Sequence, residues 1–168
     1  MLNKNFWKDK KVFITGNTGF KGSWLSLILL ELKAKVTGIS KGIPTIPSNF
    51  VASKLENRIR HLVQDITDTA KLTKVIQETQ PDFIFHLAAQ PLVRHSINEP
   101  LETWNSNALG TISLLESIKT LKKDCIIICI TSDKVYKNQE WAWGYRETDV
   151  LGGYDPYSAS KAAAELAI

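Results

Sequence analysis

Cysteine is scarce: the 168-residue chain has two, Cys125 and Cys129, both in the apolar run Cys125-Ile126-Ile127-Ile128-Cys129-Ile130. In an extended run they share a face, but four steps of roughly 3.3 Å put them about 13 Å apart, too far to bridge. A disulfide scaffold is excluded, and a reduced, cytoplasmic setting is the simplest reading. Long apolar runs are missing as well. No stretch approaches the ~20 residues of a membrane span, and residues 1–10 carry Lys4, Lys8, Asp9 and Lys10 with no apolar segment behind them suited to a signal peptide. No membrane partner is expected. Repeats and low-complexity segments are absent, and 9 glycines and 6 prolines are too few for a collagen. No basic stripe interleaves with aromatics, since Lys8, Lys10, Lys11 and Lys119, Lys122, Lys123 are short clusters, so no nucleic-acid partner is expected. His61, His86 and His95 form no ligand set, and no metal is expected.

What remains is 43% apolar and 23% charged residues, the composition of one globular domain with a real core over residues 1–168. The net charge of +4 suits an anionic ligand and is equally explained by ordinary solubility. Short β-branched runs at residues 11–15, 35–39, 60–63, 83–87 and 125–131 alternate with segments of helical spacing. Leu25, Ile28, Leu29 and Leu32 make one helical stripe, Leu72, Val75 and Ile76 another, and a long helix is predicted within 99–121. Apolar strands separated by helices predict an α/β fold, a doubly wound parallel sheet covered on both faces. Residues 41–50 and 137–156 read as loops, the second long enough to suggest a role in a site. Asp155 and Pro156 then open a helix as N-cap and first residue.

Three motifs carry chemistry. Thr15-Gly16-Asn17-Thr18-Gly19-Phe20-Lys21-Gly22 follows the first strand and opens the first helix, where glycines let backbone N–H groups approach a pyrophosphate at the positive helix end. The acid usually found about 20 residues on, to hold the adenosine ribose, is missing. Ser40-Lys41 stands there and would as readily take a 2′-phosphate, so spacing does not separate NAD from NADP. Asp65, in Gln64-Asp65-Ile66, is a candidate for the adenine or a helix cap. Tyr157 and Lys161, four apart in Tyr157-Ser158-Ala159-Ser160-Lys161, share a helix face, where an ammonium favours a phenolate. Ser132-Asp133-Lys134 sets a hydroxyl, a carboxylate and an amine after the fifth strand, at the end where ligands gather in such sheets.

Together the motifs resemble the extended short-chain dehydrogenase/reductases, which modify nucleotide sugars with a bound nicotinamide. The likeness runs through residues 16–24, His86-Leu87-Ala88-Ala89-Gln90-Pro91-Leu92-Val93-Arg94, Thr131-Ser132-Asp133-Lys134, Glu140-Trp141-Ala142-Trp143-Gly144-Tyr145-Arg146-Glu147 and Leu151-Gly152-Gly153-Tyr154-Asp155-Pro156-Tyr157. It implies a Rossmann-type NAD-binding domain without the family's C-terminal substrate domain, and a 4,6-dehydratase acting on CDP-glucose. It implies catalytic roles for Ser132, Asp133 (acid), Lys134 (base), Tyr157 and Lys161. The acid must be protonated and the base neutral, so burial would have to shift both from their usual values. It implies cofactor contacts at Gly16, Thr18, Gly19, Phe20, Lys21, Gly22, Asp65, Ile66, Leu87, Ala88, Ala89, Gln90, Asn107, Tyr157 and Lys161, and substrate contacts at Gln90, Arg94 and Ser132. Asn107 reads equally as a packing residue. Trp141, Trp143 and Tyr145 resemble a lid over the sugar nucleotide, or else a cover packed on the sheet. In a full-length form a homo-oligomer is implied. Family members run to about twice this length, which keeps open an epimerase or reductase, or a non-catalytic cofactor-binding fragment.

Overall fold

The computed structural model describes residues 4–168. The expectation for residues 1–10 falls partly on residues 1–3, outside the described residues. The elements are α1 (Lys4–Trp7), β1 (Lys11–Thr15), α2 (Phe20–Glu31), β2 (Lys35–Ser40), α3 (Asn49–Ala52), β3 (Arg60–Val63), α4 (Thr69–Thr79) and β4 (Phe83–His86). After them come α5 (Val93–Asn98), α6 (Pro100–Trp104), α7 (Gly110–Ile118), β5 (Ile126–Cys129) and α8 (Pro156–Ala167). The chain divides into two compact units, one of residues up to Ala88 with Ser113–Ile130, the other of Ala89–Ile112 with Thr131–Ile168.

The first unit holds the sheet, all parallel, in the order β3-β2-β1-β4-β5. The chain winds outward from β1 in one direction through β2 and β3 and in the other through β4 and β5, so the doubly wound expectation is borne out. β1 shows why the strands read as continuous apolar runs. Phe13 faces a core with Ile39, Leu72, Ile76, Ile84 and Leu114, while Val12 and Ile14 face a second core with Leu29, Val36 and Phe83. Both faces are covered, which is what a parallel sheet requires.

The boundaries differ in instructive ways. β5 ends at Cys129 rather than residue 131, because after Ile130 donates to the His86 carbonyl at 3.0 Å the chain leaves the sheet. Cys125 therefore precedes the strand, and neither Cys125 nor Cys129 is in a disulfide. Burial pushes the Cys125 thiol up to about 11. The α2 stripe is also rotated. Leu29 and Leu32 are buried but Ile28 is 43% exposed, and the buried face runs through Gly22, Ser23, Ser26 and Leu29. Small residues let the start of that helix lie close on the turn before it. The stripe at Leu72, Val75 and Ile76 is buried as expected. The predicted long helix at 99–121 is interrupted by a π-turn, Asn105–Leu109, between α6 and α7. Ser48 caps α3 inside the predicted 41–50 loop, its hydroxyl accepting from Val51 N. No described helix is long and apolar enough to cross a membrane.

Candidate active site

The first unit carries a cradle at the carboxyl end of β1. Gly16 has φ +75°, and a Cβ there would lie 2.8 Å from the Ala88 backbone nitrogen, so only glycine fits. A Cβ on Gly22 would collide with the Gly16 carbonyl, which explains the third glycine of the motif. Thr15, the first residue of the motif, takes a role that the sequence did not assign it: its hydroxyl meets His86 Nδ1 at 2.7 Å and accepts from the Leu87 and Ala88 nitrogens at 3.2 and 3.1 Å. This explains why His86 is buried without belonging to any metal set. Among the described residues no group of three or more His, Cys, Asp and Glu could hold a metal ion.

The cradle fits a dinucleotide. Helix α2 opens on Gly19 with no capping side chain and no acid in its first turn, leaving its positive end for an anion. A Cβ built on Gly19 would meet only the Gly16 carbonyl, at 3.4 Å, so the space above the turn is open. Phe20 and Lys21 are exposed beside it, while Thr18 is buried and donates to the Gly42 carbonyl at 2.6 Å. At the ends of β2 and β3 the buried Ser40 Oγ and Gln64 Nε2 have no partner in the protein, as expected where a polar ligand completes the site. Ile66 is buried in the core. Asp65 accepts from Thr67 N and Oγ1 at 2.9 and 2.8 Å and pairs with Lys41 Nζ at 3.8 Å. Burial pulls its carboxyl upward, but the Thr67 bonds and the Lys41 charge outweigh it and hold the group below its ordinary value.

The second unit carries the residues expected to do chemistry. Asp155 caps α8, accepting from Ser158 N at 2.9 Å and Ser158 Oγ at 2.6 Å, with Pro156 in the first turn. That start sets Tyr157 half-buried and Lys161 buried, one turn apart. Two supports were not legible as such. Ser96 Oγ accepts from Tyr157 N at 3.1 Å, and Ser160 donates to the Tyr157 carbonyl at 2.8 Å. Asn107, 1% exposed in the π-turn, donates to Ser160 Oγ at 3.0 Å and clamps Gln90 through its backbone, accepting at 2.8 Å and donating at 3.1 Å. The packing alternative for Asn107 thus has substance, and π-turns recur where a side chain must be aimed. The Gln90 carboxamide is buried and committed to Leu92 O, Leu92 N and Thr103 Oγ1, so it shapes the turn through Ala89. Arg94 is exposed on α5.

Ser132 caps a short 3₁₀ turn, Asp133–Val135, accepting from Lys134 N at 3.2 Å and donating to Asp133 Oδ1 at 3.0 Å. Asp133 and Lys134 line one recess with Tyr136, Tyr145, Asp155 and Ser158. Both are exposed, so burial alone does not supply the desolvation that an acid–base pair would use. The aromatic loop folds on itself: Tyr136 stacks on Tyr145 at 5.0 Å and Trp141 on Trp143 at 5.2 Å, while Trp141 and Tyr145 lie 5.5 Å apart. Tyr145 also donates to Asn138 Oδ1 and accepts from Gln139 N. The rings pack on one another, and Tyr136 and Tyr145 form a wall of the recess.

A family model described as GDP-mannose 4,6 dehydratase matches residues 13–168. The chain is 51% identical over 166 residues to the CDP-glucose 4,6-dehydratase of Salmonella typhimurium, covering 99% of this chain and 46% of that protein. It superposes on the solved structure of Pal from Bacillus thuringiensis with a TM-score of 0.81 at 26% identity, over 92% of this chain and 49% of that one. For MoeE5 in complex with UDP-glucuronic acid and NAD the TM-score is 0.72 at 27% identity, over 94% and 48%. The chain spans about half the length of these relatives. With a family match running almost from β1 to the last residue, over the parallel sheet and the Tyr-Lys helix, this chain belongs to the GDP-mannose 4,6 dehydratase family of nucleotide-sugar 4,6-dehydratases.

Proposed function

We propose that the chain forms the NAD-binding domain of an enzyme that converts CDP-glucose to its 4-keto-6-deoxy derivative. The observation that carries this reading is the recess in which Asp133 and Lys134 adjoin the start of the Tyr157 helix. The 51% identity to a CDP-glucose 4,6-dehydratase supports the choice of substrate, and the NAD bound in the MoeE5 structure supports the choice of cofactor. Gly16, Thr18, Gly19, Phe20, Lys21, Gly22, Asp65, Ile66, Leu87, Ala88, Ala89 and Asn107 would hold or shape the place for it. When bound, NAD supplies a hydride acceptor that later gives the hydride back.

Tyr157 takes the proton of the sugar 4-hydroxyl, with the buried Lys161 one turn further along the same helix. Ser132 turns its hydroxyl from Asp133 to the sugar 4-oxygen. The 4-ketone acidifies the C5 proton, which Lys134 removes as base, while Asp133 protonates the departing 6-hydroxyl so that water leaves. Both start exposed, so the bound sugar must displace the water around them. Exposed Arg94 offers a guanidinium to the substrate.

The test uses the chain joined to the remaining half of the Salmonella relative, given CDP-glucose deuterated at C4. Loss of one water with deuterium delivered to C6 is expected. Deuterium washed out or retained at C4 would favour an epimerase or reductase, which needs no Asp133-Lys134 pair, and no turnover would favour a non-catalytic cofactor module.

A further inference from the structure

The carboxyl end of β2 carries a contradiction. It lacks the acid that would hold a ribose diol, and it presents Lys41, a residue that by itself would attract a 2′-phosphate. We propose that the ion pair between Lys41 and Asp65 disarms that lysine, so that the adenosine site selects NAD over NADP. The proposal rests on the cofactor reading above.

The geometry of the pair is set from both sides. Lys41 lies between Ser40, buried at the end of β2, and Gly42, whose carbonyl accepts from Thr18 of the glycine turn at 2.6 Å. Its backbone is thereby kept next to the cradle, and the Asp65 carboxylate is the partner that the ammonium meets there. Asp65 is held by Thr67, whose N–H and hydroxyl both reach Oδ1, leaving Oδ2 turned toward Lys41 Nζ at 3.8 Å. One fixed carboxylate and one ammonium leave no net charge at that end. A phosphate on the 2′-oxygen brings between one and two negative charges. Seated against Lys41, it would meet the Asp65 carboxylate at comparable range, and attraction and repulsion would largely offset. A ribose hydroxyl meets no such conflict. The unpartnered polar atoms in the residues next to the pair, Ser40 Oγ and Gln64 Nε2, are neutral, which suits hydroxyls better than a dianion.

Calorimetric titration of the chain with 5′-ADP and 2′,5′-ADP isolates the 2′-phosphate, and NAD and NADP repeat the comparison with whole cofactors. The parent is expected to bind 5′-ADP and NAD more tightly. Asp65→Asn keeps an acceptor for Thr67 and should shift the ratio toward 2′,5′-ADP on the order of tenfold, an effect that salt weakens. Adding Lys41→Gln to that variant should abolish the shift. Lys41→Gln alone, at an exposed position that leaves the fold untouched, should weaken 2′,5′-ADP further. A ratio unmoved by Asp65→Asn, a gain that survives without Lys41, or a parent that prefers the 2′-phosphorylated ligands overturns the proposal while the cofactor reading stands. A parent chain that binds none of the four overturns both.

Discussion

Asn107 in the π-turn and Ser160 on α8, 53 positions apart, share a buried hydrogen bond of 3.0 Å, and Ser160 passes it on to the Tyr157 carbonyl at 2.8 Å. The same carboxamide holds Gln90 by both backbone groups. One side chain therefore joins the turn after β4, the π-turn and the helix of the proposed general base.

Asn107→Leu should be among the most damaging polar substitutions in the second unit. It strands the buried Gln90 N–H and carbonyl and takes from the Ser160 hydroxyl the donor it accepts from, while Ser160 keeps its own bond to the Tyr157 carbonyl, at a cost of about 2–4 kcal/mol. Urea denaturation would measure it, and a loss below about 0.5 kcal/mol would mean that the network relaxes around the gap.

Gly22→Ala tests the cradle. The added Cβ meets the Gly16 carbonyl, a rigid backbone atom, so α2 must move away from the turn. A stability loss of roughly 1–3 kcal/mol is expected, with a disproportionate loss of dinucleotide affinity in titration. Unchanged binding in a folded variant would sever the glycine turn from the cofactor.

Lys134→Met separates the proposed steps in the chain joined to the second half of its Salmonella relative. In the proposed mechanism, oxidation at C4 uses Tyr157 and Lys161, whereas elimination uses Lys134. The reduced nicotinamide absorbance should therefore rise and persist while the dehydrated product disappears. Dehydration at the parent rate would show Lys134 to be a surface amine.

Asp82 links acid stability to the sheet. Burial would raise its carboxyl, but the Lys123 ammonium, the Lys11 N–H and the charges of Lys123 and Lys10 outweigh that and hold it below the ordinary 3.8. A lowered folded value means that folding favours the ionised form. Its contribution is complete above 3.8 and is lost as pH falls through the lowered folded value. Asp82→Asn should be about 1 kcal/mol less stable than the parent at pH 7. The two unfolding curves should start to approach each other only as pH falls below 3.8 and should meet below the lowered folded value.

Local chemistry alone determined much of this protein. The apolar strand runs, the glycine turn at residues 16–22, the Asp155-Pro156 helix start and the one-turn spacing of Tyr157 and Lys161 follow from steric rules acting within a few residues, which is why they could be read in order along the chain. Tertiary structure decided the rest. The π-turn that breaks the 99–121 helix exists beside partners near Gln90 and Ser160, and nothing in its local sequence marks it. That Thr103 and Leu92 hold both ends of the Gln90 amide is likewise visible only in the fold. Ser40-Lys41 was ambiguous for the same reason: a lysine's charge acts according to what faces it, and Asp65 faces it only once β3 lies beside β2 in parallel register. Sequence carries identity and spacing, whereas hydrogen bonds and ion pairs between distant residues arise only when the sheet brings their strands together.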